Sequence, residues 1–188
     1  QTYPFDAAES NRVLISDNSG NIYFAATKNT STFGDFAIVK INPAGDTLWT
    51  RSYNGLGNLQ QNHDDPSSLC MDNSGNIFLT GRIYTLSAYF FSTIKYGSDG
   101  NFQWERVYSN PQNGEGGNAV LTDNSGNIYV SGGSNDFTTI KYNTGGDSLW
   151  TIFYNGPSNL SDISDVMTMD NSGNIYVAGR SRQTGGSG

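Results

Sequence analysis

His63, Asp64 and Asp65 stand consecutively in the longest interval between apolar runs, and nowhere else does an imidazole adjoin carboxylates. Such a trio could move protons in general acid–base catalysis, given a nucleophile or metal to act with. The sequence around it supplies neither, so it reads first as a solvated polar loop. A carboxylate pair for glycoside chemistry could be drawn from Asp64, Asp65, Glu115 and Asp162, but no spacing selects one pair over another. Arg82, Tyr84 and Tyr89, amid Asn- and Gln-bearing connections, have the side chains that stack on and hydrogen-bond to sugars; tyrosines packed on each other are the alternative. These eight residues are the candidate ligand-binding set, and no residue is assigned a catalytic role.

Asp17-Asn18-Ser19-Gly20-Asn21 has the alternating oxygen ligands of a calcium loop, but the completing carboxylate is missing. One carboxylate per loop is a weak complement for a dication, and a structural hairpin is expected instead. No metal and no cofactor are expected. Asp46-Thr47-Leu48 and Asp147-Ser148-Leu149 have the form of a bacterial O-glycosylation acceptor, and they also read as ordinary strand starts. The single cysteine, Cys70, lies between Leu69 and Met71 and is expected to be buried and inert.

What must position any of these groups is visible in a recurrence. Asp-Asn-Ser-Gly-Asn-Ile occurs four times, beginning at Asp17, Asp72, Asp123 and Asp170, at intervals of 55, 51 and 47 residues. A period in this range marks a repeat architecture. Each unit has an apolar run before this motif and another after it. A third run carries Lys40, Lys95 or Lys141, and a fourth carries Trp49, Trp104 or Trp150 with a tyrosine four residues on. The motif supplies an Asp that can hold turn amides and a Gly for positive φ. A second glycine-bearing turn joins runs three and four, so each unit is expected to be a four-stranded antiparallel meander.

The expected fold is therefore all-β, a β-propeller of four-stranded blades spanning residues 1–188 as a single domain. Blades are expected at about 11–55, 66–109 and 117–156, with half a blade at 165–181. Three and a half blades cannot close a ring, so closure is expected from the remainder of a longer chain or from a second copy. The repeated Asp, Lys and Trp residues are expected to be framework. Each lysine is expected to lie over an inter-blade aromatic and pair with a hairpin Asp, and each tryptophan to fill the gap between blades.

Composition agrees: 23 Gly, 11 Tyr, 10 Phe and 3 Trp in 188 residues suit short strands and tight turns. A net charge of −7 argues against nucleic acid and anionic membrane as partners, and no run is long enough to insert in a membrane as a helix.

The unit resembles the bacterial SBBP-type β-propeller repeat. Asp123 to Gly132 matches its hairpin, Asp136-Phe137-Thr138-Thr139-Ile140-Lys141 its third strand, and Gly146 with Trp150 its last turn and strand. Ala26 replaces the hairpin's final Gly in the first unit, and Phe90 replaces the Asp before Phe91. The resemblance implies a secreted or cell-surface bacterial protein with no common enzymatic activity. The function expected is a non-enzymatic extracellular module for protein or glycan binding, or for scaffolding, using the variable connections near the central opening. The alternatives are a polysaccharide hydrolase or lyase working on that face, and a structural subunit that assembles through its open half blade.

Overall fold

In the computed structural model, Asp17, Asp72, Asp123 and Asp170 each open the same tight turn. The glycine three residues on donates its N–H to the Asp carbonyl at 3.0 Å, and has φ between +78° and +84°. One Asp oxygen accepts the backbone N–H two and four residues on; the other accepts the Asn side-chain amide at 2.7–2.8 Å. In three of the four a tyrosine hydroxyl adds to this, from Tyr23, Tyr129 and Tyr176. The carboxylates are thus occupied by the hairpin itself, in the role the sequence assigned them.

These turns, with glycine turns of the same form at Gly45, Gly100 and Gly146, fold the chain into antiparallel meanders. The structure describes residues 12–29, 34–54, 64–85, 88–109, 116–133 and 135–183. Among them are fourteen strands and no helix. The first sheet holds β1 (Arg12–Ser16), β2 (Ile22–Asn29), β3 (Gly34–Ile41) and β4 (Thr47–Tyr53). The second holds β5 (Asp65–Met71), β6 (Ile77–Thr85), β7 (Ala88–Tyr96) and β8 (Phe102–Tyr108). The third holds β9 (Gly117–Thr122), β10 (Ile128–Gly132), β11 (Phe137–Tyr142) and β12 (Ser148–Tyr154). A two-stranded sheet follows, β13 (Asp162–Met169) with β14 (Ile175–Ser181). The first strands of successive sheets lie against one another, so β1, β5, β9 and β13 share a common axis. This is a β-propeller-like arrangement.

Both faces of the middle sheet are covered. Ile77, Leu79, Ile83, Ile94 and Tyr96 pack against Tyr23, Ala25, Phe36 and Ile38 of the first sheet. Phe78 and Phe91, from the other face, pack with Val120, Ile128, Val130, Ile140 and Tyr142 of the third. Cys70 lies against this second cluster, and burial, then the charge of Asp72, push its thiol well above the ordinary range. The thiolate that reactivity needs is therefore suppressed.

The tryptophans join the sheets at their outer turns. Trp49 lies so close to Gly100 that a Cβ there would fall 2.8 Å from the indole. Arg51 lies over Trp49 and donates Nε–H to the Gly100 carbonyl at 2.6 Å. Trp104, Gly146 and Arg106 repeat this clasp one sheet on, with an Nε–O distance of 2.7 Å. In the third sheet the arginine's place, two residues after Trp150, is taken by Ile152, which is 57% exposed. Ile152 instead lines an open trough of about 600 Å³ with Phe137, Trp150, Tyr154, Ile175 and Val177.

The structure corrects two expectations. The lysines lie over aromatics of their own sheet, because each is the cross-strand partner of that aromatic. Lys40 faces Tyr23 at 4.9 Å, Lys95 faces Phe78 at 5.4 Å and Lys141 faces Tyr129 at 4.9 Å. The expected aspartate pairing holds for Lys40, 3.9 Å from Asp17, whereas Lys95 donates to the Thr144 carbonyl of the next sheet at 3.1 Å. Arg82, Tyr84 and Tyr89, read in the sequence as lying among connections, are on strands instead: β6 runs to Thr85 and β7 starts at Ala88.

Candidate functional site

At the end of the inner strands away from the Asp hairpins, each of the last three sheets carries a register shift in the same place. The unpaired residue is Ser67 in β5, Asn118 in β9 and Asp165 in β13. A bulge of this kind turns its side chain out of the ordinary alternation. It also brings a carbonyl across the neighbouring strand, which explains the recurring glycine there. A Cβ at Gly81, Gly132 or Gly179 would sit 2.0–2.3 Å from the carbonyl of Asp65, Gly116 or Ile163. In the first sheet Ala26 pairs directly with Arg12 without a shift, so a methyl group fits.

All three bulge residues face one cleft of about 540 Å³, whose other walls include Arg82, Tyr89, Gly116, Gly133 and Arg180. Arg82 and Arg180 each follow the recurring glycine of their strand, while Gly133 holds that position in the sheet between them. The third sheet therefore places no side chain at this position between the two arginine-bearing sheets. Gly133 has φ +106°, and a Cβ at Gly116 would fall 2.4 Å from that of Arg82. Glycine is required at both places, by the backbone conformation at Gly133 and by the close approach of Arg82 at Gly116.

The two arginines are held differently. Arg82 donates through Nε and Nη2 to Oδ2 of buried Asp65 at 2.8 and 2.7 Å, and its guanidinium lies 5.0 Å from the Tyr89 ring centroid. Thr27 fixes Asp65 in turn with a 3.1 Å bond to Oδ1. Arg180 meets Asp165 in two 3.0 Å bonds at the surface, and this hydrogen bonding and the charge of Asp165 hold its pKa above the ordinary value. Asn118 donates to the Ser164 carbonyl at 2.7 Å, which leaves its amide oxygen for the cleft.

Of the residues singled out in the sequence, Arg82 and Tyr89 line this cleft and Asp65 orients Arg82. Tyr84 is the cross-strand partner of Tyr89, with ring centroids 4.6 Å apart, and packs against it. Asp64 and Asp162 are fully buried. Their N–H groups bond the preceding sheet at Gly34 and Asn135, and Asp162 also accepts the Gly156 N–H at 2.5 Å. Both stand eight residues before a hairpin Asp, as do Glu9 and Glu115 in the sequence, and recurrence of that kind marks a framework position. His63 and Glu115 lie outside the described residues. Thr47 and Ser148 are exposed at the starts of β4 and β12. Ser67, Asn118, Asp165 and Arg180 were not singled out. Their signal is a column, five residues before each hairpin Asp or just after the strand glycine, whose identity changes from copy to copy.

No known protein family profile matches the chain, and no curated protein matches it. Among solved structures it is similar to a protein of unknown function from Bacteroides caccae, determined at 1.35 Å, with a TM-score of 0.58 and 13% identity. The similarity covers 94% of this chain and 55% of that one, so the chain spans about half the length of that protein. At this identity the likeness concerns the fold.

Proposed function

We propose that the chain is part of a β-propeller of SBBP-type repeats, with three blades and the inner half of a fourth, acting as a secreted or cell-surface binding module without chemistry of its own. Its ligand is a glycan held in the axial cleft. The observation that carries this is that a hydroxyl, an amide and a carboxylate, delivered by a repeated bulge, meet two guanidinium groups and an aromatic ring in one cleft. This mixture of donors, acceptors and an apolar ring is what a polyol requires. The non-enzymatic reading is supported by the carboxylates: Asp64 and Asp162 are buried, Asp65 is bonded to Arg82, and Asp165 is bonded to Arg180.

A glycan array probed with the labelled chain is the test. The expected result is binding to a limited glycan class, lost in N118A and in R82A. Absence of any glycan signal, or equal signal from both variants, would reject the assignment. The trough beside β14 favours a second reading, in which outer strands of another polypeptide segment complete the fourth blade.

A further inference from the structure

We infer that the axial cleft selects a carboxylate-bearing glycan, with the acid group of a uronic acid-type residue held between Arg82 and Arg180. This rests on the reading of the cleft as a glycan site. Both ion pairs engage the Nε and Nη2 side of the guanidinium. The opposite edge, carrying Nη1, lies outside each pair, and a planar guanidinium can bind a second carboxylate there in the two-bond geometry. The two arginines occupy equivalent positions two sheets apart, with glycine in the sheet between, so their side chains flank a gap that no side chain of that row fills.

The two sides of the gap differ in a way that suits capture. Arg82 is oriented by a buried carboxylate and an aromatic ring, so its other edge is already directed before a ligand arrives. Arg180 has a side chain 73% exposed, paired with an Asp165 that is 40% exposed. An exposed pair of this kind is weak, and a ligand carboxylate can displace Asp165 from Arg180 with little loss. The displaced Asp165 and the Asn118 amide oxygen then remain as acceptors for sugar hydroxyls, and Tyr89 offers a ring edge to the sugar.

Isothermal titration with trigalacturonic acid, its fully methyl-esterified form and the neutral galactotriose tests this on the intact chain. The acid is expected to bind about tenfold tighter than the ester, the effect of one or two charge-assisted hydrogen bonds. That preference is expected to weaken in about 0.5 M salt. R180Q, at an exposed position, and R82K, which keeps the charge facing Asp65 but loses the second edge, are each expected to reduce the acid preference severalfold. Galactotriose is the neutral reference against which the acid preference is taken in each variant. Ester and acid bound equally well, or a preference unaltered in both variants, would overturn the inference while leaving glycan binding intact. Binding of a short peptide through its free carboxylate, with none of the uronide, would overturn the glycan class. Failure of every glycan on the array would instead remove the reading beneath it.

Discussion

The hairpin aspartates show how much one side chain can organise. Asp123 accepts bonds from Ser125 N–H, Asn127 N–H, Asn127 Nδ2 and Tyr129 hydroxyl, so Asp123→Ala removes four at once. A loss of about 2 kcal/mol is expected, read as a lowered urea midpoint at unchanged slope. Burial works against ionisation of Asp123, but the bonds from Asn127, Tyr129 and Ser125 outweigh it and hold the carboxyl below its ordinary value. Asp17 and Asp170 are lowered as well, mainly by the side chains of Asn21 and Asn174. A folded pKa below the unfolded one means the unfolded chain takes up protons first on acidification. The stability from these groups is therefore present above the unfolded value of 3.8 and is lost as the pH falls through the folded values. Asp35, whose carboxyl burial raises despite Lys28, acts in the opposite sense. Denaturant midpoints between about pH 6 and pH 2.5 should fall below about pH 4, and less so for Asp123→Asn.

At the scale of the element, the bulge decides what the cleft contains. Gly132 lies under the Gly116 carbonyl and 2.4 Å, by a notional Cβ, from the Phe91 ring. Gly132→Ala must push backbone or ring aside, at about 1–3 kcal/mol. It should also disturb Asn118 more than the distant hairpins, a difference that backbone amide shifts would register. The meander and both turns of each unit were legible in the sequence because they rest on local chemistry, Asp and Gly at fixed offsets. The bulge was not, since a one-residue shift is a relation between two strands and leaves no composition of its own. Its trace was the recurring glycine at 81, 132 and 179, with Ala26 as the exception that the structure explains. Likewise Arg82 pairs with Phe91, Ile83 with Phe90 and Tyr84 with Tyr89 across β6 and β7, which periodicity alone did not reveal. Of the candidate site, Arg82 and Tyr89 were found by residue type, whereas Ser67, Asn118 and Asp165 required the register.

Across the whole molecule, each sheet is stabilised by its neighbours. Arg106→Ala should loosen the join between the second and third sheets, removing the bonds to Gly146 and Gly145 and the cover on Trp104. A loss of about 1.5–3 kcal/mol is expected for bonds of charged groups, with hydrogen exchange accelerating first in β11 and β12. The exposed Ile152 and Tyr154, side by side on β12 along the trough, should promote concentration-dependent association of this chain. Sedimentation velocity is expected to show it, and Ile152→Lys to reduce it. Strictly monomeric behaviour at high concentration would exclude assembly through this trough.

The replacement of arginine by Ile152 also bears on how the repeats keep their order. Four nearly identical hairpins give a folding chain several ways to place one sheet against the wrong neighbour, a hazard of repeated sequence. The first two junctions share one lock, an arginine closing on a glycine carbonyl, and are interchangeable by that criterion. The third junction offers a greasy socket without that arginine, so a turn carbonyl presented there lacks that partner. The Arg-to-Ile change thus works as an address label that tells the third repeat apart from the first two.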